Sequence, residues 1–157
     1  MRLITFAITS FIFAYTEPSL ATETVKKLLP VKTVAICSSR PNCVSSLGAD
    51  RTHRMPPFRF TGPVAAAQER LVRLIRQMPR SEILKDEPGY LAVIFSSKVF
   101  GFVDEAEFVF DEKCGEINFH SGARSGYYDF GVNRARLEVM RISFNEPKWA
   151  KWSSRGR

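Results

Sequence analysis

The densest run of side chains able to do chemistry lies between Ser121 and Arg136, where Arg124, Ser125, Asp129, Asn133, Arg134 and Arg136 crowd one short segment. Arginines present planar donor forks that match a carboxylate or phosphate. Gly122, Gly126 and Gly131 permit tight turns and close backbone approach. The segment then runs into a helix start near Asn133, where backbone N–H groups favour an anion. These features point to a loop that binds an anionic group, with Asp129 orienting an arginine. They fit equally a salt-bridged loop without a ligand, in which Asp129 pairs with Arg124 or Arg136 and Asn133 caps the helix.

Three cysteines offer a second chemistry: Cys37, Cys43 and Cys114. In an oxidising compartment two pair and one is left over. Cys37 and Cys43 enclose a short polar loop and can close on each other. Cys114 sits in a turn over residues 111–115 and can instead partner either. No metal site or cofactor is expected: there is no C-x-x-C, His53 and His120 stand at no ligand-like spacing, and phosphate loops and dinucleotide fingerprints are absent. Gly122-Ala123-Arg124-Ser125-Gly126 places its serine one position too late for a nucleophile elbow. A Cys43 thiolate with His53 or His120 as its base, or a serine, would make a hydrolase-like enzyme. A disulfide or buried thiol accounts for Cys43 with fewer assumptions. Ser45 and Ser46 read as turn or cap donors. Asp104 and Glu105 face opposite sides of their strand and make no acid–base pair.

The elements that must position these groups predict an α+β fold in the order β-α-β-β-β-β-α. It is an antiparallel sheet of about four to five strands with two helices packed on one face. Residues 58–60 alternate as a short strand. Gly62-Pro63 opens a helix with Pro at its first position, and Val64, Ala67, Leu71, Leu74, Ile75 and Met78 fall on one face of it. Arg70, Arg73 and Arg76 read as its solvated side. Strands follow at 82–85, 90–96, 102–110 and 116–120. In the third of these Phe102, Asp104, Ala106, Phe108 and Phe110 share a face, so Asp104 is a carboxylate at a core position. A second helix begins at Asn133 as N-cap, with Leu137, Met140 and Phe144 as its inner stripe.

Arg2, the apolar run 3–15, and Ser19 and Ala21 after Pro18 read as a signal peptide over 1–21, cut before Thr22. The run is too short to span a bilayer, which takes about 20 apolar residues. Residues 22–57 read as an extended N-terminal arm with an edge strand at 31–36, residues 58–146 as the α+β domain, and 147–157 as a basic tail. Trp149 and Trp152 suit that tail to peripheral membrane contact. The formal charge of +7 favours anionic partners. Export places the protein in the periplasm or cell envelope and leaves nucleic acid unexpected. The reading is a non-catalytic envelope module that binds an anionic group or an envelope protein through residues 124–136.

Pro41-Asn42-Cys43-Val44-Ser45-Ser46, Phe102-Val103-Asp104 and Arg124-x-Gly126-Tyr127-x-Asp129-Phe130-Gly131-Val132-Asn133-Arg134-x-Arg136 together resemble the uncharacterised bacterial and plastid family catalogued as domain of unknown function 1499. The resemblance covers residues 37–144. Where the family carries Arg-Ser-x-Ser-Arg, this chain has His120-Ser121-Gly122-Ala123-Arg124. The resemblance implies a single domain and brings no activity with it.

Overall fold

The computed structural model describes residues 32–48, 50–97 and 101–145. The expected signal peptide, residues 22–31 and the tryptophan-containing tail lie outside them. The elements run β1 (Cys43–Ser45), β2 (Phe58–Arg59), α1 (Val64–Arg76), β3 (Ser81–Glu87), β4 (Tyr90–Ser96), β5 (Val103–Asp111), β6 (Glu116–Ala123) and α2 (Val132–Asn145). Every paired strand is antiparallel, in the order β1-β6-β5-β4-β3, with β2 also pairing β6. This is the expected α+β architecture with one strand more than the sequence suggests.

Alternation builds the sheet. In β4, Leu91, Val93 and Phe95 point into the core, and in β5 Asp104, Ala106, Phe108 and Phe110 do so opposite them. Ile117, Phe119 and Ser121 extend the same face onto β6. From α1, Ala67, Leu71, Val72 and Ile75 are buried, and Val64, Leu74 and Met78 pack at the margin of the core. Leu137, Met140 and Phe144 bury the matching stripe of α2. Phe58 sits at the junction, its ring edge-on to Phe108, Phe119 and Phe144 with centroids 5.5–6.0 Å away.

Four local expectations are corrected. Residues 32–36 form no strand; this coil crosses the sheet face opposite the helices, where the Ala35 N–H donates to Glu107 Oε1 (2.6 Å) and Lys32 pairs with Glu87. The stretch read as an extended arm supplies β1, and Val44, Met55, Ser45 and Ser46 from it are buried. Phe102 keeps the parity of the β5 core face but is 54 % exposed, because the ladder to β4 ends at Val103–Ser96. Capping also differs: Pro63 is the N-cap of α1 rather than its first residue, and Asn133 lies inside the first turn of α2.

Candidate functional site

The polar segment divides into a buried base and an exposed tip. At the base Arg136 donates to Asp104 Oδ2 (2.7 Å) and to Asn133 Oδ1 (3.1 Å), with its guanidinium 4.5 Å from the centre of the Phe95 ring. The Arg136 and Asp104 side chains are only 14 % and 11 % exposed. Asn133 is fully buried; its Oδ1 also accepts from the Ser121 hydroxyl (2.6 Å), and its Nδ2 donates to Asp129. Asp129 accepts from the backbone N–H groups of Gly131 and Asn133, so it, and not Asn133, caps α2. Arg134 donates to the carbonyls of Thr52 and Arg54. These residues have mutual partners that hold the helix start against β5 and β6. The pairing of Asp129 with an arginine that the sequence suggests does not occur: Asp104 takes Arg136 and Glu105 takes Arg124.

The tip is different. Arg124 meets Glu105 (2.6 Å) with both side chains half exposed, and Ser125 is exposed. Beyond them Tyr127, Tyr128 and Phe130 are 70 %, 56 % and 86 % exposed, and the Tyr128 and Phe130 rings pack edge-on at 5.0 Å. The loop carrying them is tied down at Asn42, whose Nδ2 donates to the Gly126 carbonyl (2.8 Å), and at the Arg124 N–H, which donates to Val103 O. The result is an aromatic knuckle on a fixed base.

A second arrangement occupies the sheet face opposite the helices. Strand register sets two adjacent rows there: Ile94, Glu105, Gly122 and Cys43, then Ala92, Glu107, His120 and Ser45. His120 and Cys43 are diagonal neighbours across the β1–β6 pair, and His120 Nε2 stands 3.4 Å from Cys43 Sγ. Cys43 is disulfide-bonded to Cys37, which settles the pairing that the sequence leaves open; Cys114 is free and exposed. Gly122 makes the approach possible, since a Cβ there would lie 3.1 Å from Cys43 Cβ and 3.5 Å from His120 Cε1. Ile36, Ser38, Arg40, Asn42, Glu105 and His120 border a groove of about 390 Å³ over the disulfide. Burial lowers the His120 pKa, against the pull of Glu107 and Glu105. The sequence offers His120 as a base for Cys43 and at no ligand-like spacing, and does not show that Glu107 is its neighbour, because chain separation hides a cross-strand pair.

His53 braces the disulfide loop. Its Nδ1 faces Asp50 Oδ2 (2.7 Å) and its Nε2 faces the Arg40 carbonyl (3.0 Å), so both nitrogens meet acceptors and the imidazolium satisfies both. The Asp50 hydrogen bond raises the His53 pKa, against burial and the nearby Arg134 charge. Asp50 itself, accepting from Thr52 and His53, is held well below the usual carboxylate range. A raised folded pKa gives stability that is complete below the ordinary histidine value of about 6.5 and is lost as pH rises through the folded value. Urea midpoints of wild type and His53→Gln should therefore differ most at mildly acid pH and converge as the solution becomes alkaline. A constant difference across that range would mean His53 is neutral in the fold.

A family model described as Protein of unknown function (DUF1499) matches residues 33–144. No curated protein and no solved structure matches the chain.

Proposed function

We propose, from the premise that this chain belongs to the DUF1499 family of proteins of unknown function, that its domain is a non-catalytic binding module of the cell envelope that docks a partner protein through the knuckle at residues 124–130. The observation that carries this reading is the exposure of Tyr127, Tyr128 and Phe130 on a tethered loop beside Arg124. Tyrosine, other aromatics and arginine are the residues that concentrate binding energy at protein interfaces. A loop already fixed at its base loses little conformational freedom on binding. An anionic membrane suits the tip less well, because such surfaces select clusters of about 4–8 basic residues. Here Arg134 and Arg136 are spent on internal acceptors, and Arg124 is paired with Glu105. Arg124 is the one arginine of the three placed to exchange Glu105 for an acidic group on a partner.

Export is supported by the Cys37–Cys43 disulfide, since disulfides persist in oxidising compartments. The hydrolase-like alternative lacks its Cys43 thiolate in this state, and the two serines beside it donate to acceptors other than a histidine. Cys43 sulfur is bonded to Cys37, Ser45 donates to the Ala35 carbonyl, and Ser46 donates to Asn118.

A photo-crosslinking residue at position 128, introduced in the native host, should trap one discrete protein adduct identifiable by mass spectrometry. Phe130→Ser and Arg124→Glu should each abolish it while leaving the unfolding midpoint unchanged. With the purified partner, Phe130→Ala should weaken binding by at least about tenfold, the equivalent of 1.4 kcal/mol. Adducts equally abundant from a probe at Glu69 on α1, or adducts with lipid alone, would sink the proposal.

A further inference from the structure

The corner where the disulfide meets His120 holds a chemistry that docking does not use. Cys37 Sγ, Cys43 Sγ and one His120 ring nitrogen all lie within 4.8 Å of one another. A tetrahedral zinc ion, with bonds of about 2.3 Å to sulfur and 2.0–2.1 Å to nitrogen, holds its ligands within about 4 Å of each other. Two of the three are fixed by the sheet, Cys43 by its pairing with Gly122 and His120 by its pairing with Glu107. Cys37 lies on coil, the segment best able to carry its sulfur from bonding distance out to the roughly 4 Å that two ligands of one ion keep. Gly122 keeps the space between the two strands clear of a side chain. The ligand set opens onto the groove bordered by Ser38, Arg40 and Glu105, so a fourth position remains accessible from solvent. Glu105 and Glu107 flank His120 and add negative charge favourable to a cation.

We propose that reduction of the Cys37–Cys43 disulfide converts this corner into a binding site for one thiophilic divalent cation of the zinc type, held by two thiolates and His120 Nε2. A dithiol, small or protein-borne, supplies the two electrons and two protons and leaves as its own disulfide, while Cys37 and Cys43 become thiols. Metal binding then releases those two protons to solvent and forms two metal–sulfur bonds and one metal–nitrogen bond, with no change in the metal's oxidation state. Reoxidation transfers the two electrons to a disulfide of the same class, which takes two protons from solvent and leaves as a dithiol; the Cys37–Cys43 bond re-forms, the two metal–sulfur bonds break and the ion departs. The domain thus has a disulfide-locked state and a metal-loaded state built on the same three side chains. Two thiolates with one imidazole and an open position suit zinc and its cobalt surrogate.

The test uses the full chain with Cys114→Ser, which removes the free thiol, reduced with a phosphine that does not itself offer a thiol. Cobalt(II) should bind at one ion per chain with the ligand-field bands of a tetrahedral site and thiolate-to-metal charge transfer. Zinc(II) should displace it stoichiometrically and raise the melting temperature. The oxidised protein should do none of these. His120→Gln keeps the disulfide and can be purified oxidised, so its folding is checked before reduction. Once reduced, it should bind zinc more weakly by over about tenfold, since changes merely outside the ligand shell already cost about 10–100-fold. Equal zinc affinity in reduced Cys114→Ser with and without His120→Gln, or zinc binding by the oxidised protein at the same affinity, would overturn the site. So would failure of the reduced protein to yield the tetrahedral spectrum. None of these outcomes bears on the knuckle at residues 124–130, which is read by crosslinking.

Discussion

Phe58→Ala is expected to cost about 3–5 kcal/mol, the range for truncating a fully buried aromatic. The side chain has no solvent exposure and its ring meets one phenylalanine from each of β5, β6 and α2. Edge-on aromatic pairs add about 0.5–1.5 kcal/mol beyond the area they bury, and here three such contacts share one ring. The strand that carries Phe58 is two residues long and hydrogen-bonds only to β6. Its hold on the sheet therefore comes from the side chain more than from the ladder. Domains of this size have total stabilities of about 5–15 kcal/mol, so the substitution removes a large part of the whole. Urea unfolding followed by far-UV circular dichroism measures it. Val139→Ala, on the exposed side of α2, should stay within about 0.5 kcal/mol of wild type. A Phe58→Ala loss below about 1 kcal/mol would mean that β2 is not anchored through this ring.

The same contrast explains what was legible in the sequence. Residues 90–96 and 102–110 announce themselves as strands because they are rich in aromatic and β-branched side chains, and along Tyr90–Ser96 and Val103–Asp111 every second residue is buried. The apolar stripe of α1 is equally plain. Val72, eight residues after Val64, falls on the margin of the same face and is buried with it. By contrast β1 carries no local signal. Its three residues belong to the stretch that reads as an extended arm, and they become a strand by adding to the free edge of β6. The sequence also identifies Arg124, Arg134 and Arg136 as a group without showing what each faces. Besides Asn133, which Arg136 reaches locally, their acceptors are Glu105, the carbonyls of Thr52 and Arg54, and Asp104, all remote in the chain. Asp104 was visible as a carboxylate at a core parity position, but its partner was not. His120 reaches Cys43 across a separation of 77 residues, which spacing rules for metal ligands or catalytic pairs do not anticipate.

Separating base from tip also changes which arginine tests which role. Arg124 can be altered without touching the buried network, and its exposed pairing with Glu105 is worth about 0–1 kcal/mol. Loss of docking in Arg124→Glu would therefore report on the tip alone. Arg134 tethers residues 52 and 54, next to the His53 brace of the disulfide loop. Its removal would disturb the groove side rather than the knuckle.

Arg136→Met is expected to destabilise the domain by about 3–5 kcal/mol, because it strands the Asp104 carboxylate in a buried position with its partner gone. Asn133 Oδ1 would lose one of its two donors in the same step, keeping only the Ser121 hydroxyl. Asp104→Leu alone should cost a similar amount by leaving the guanidinium unpaired over Phe95. The informative variant is the double one. With both charges replaced by apolar groups, no buried charge remains, and such replacements are often neutral or stabilising. Arg136→Met/Asp104→Leu should then cost clearly less than the sum of the singles, with a coupling energy of about 0.5–3 kcal/mol as for residues in direct contact. Guanidinium or urea titration of the four proteins at neutral pH completes the cycle. Additive single mutants would show that the two charges do not sense each other in the fold. Single mutants of full stability that lose partner docking would instead assign Arg136 to the binding surface, contrary to its burial. Strong, non-additive destabilisation leaves Arg136 as the residue that fixes the base of the loop, and leaves recognition to Arg124, Tyr127, Tyr128 and Phe130.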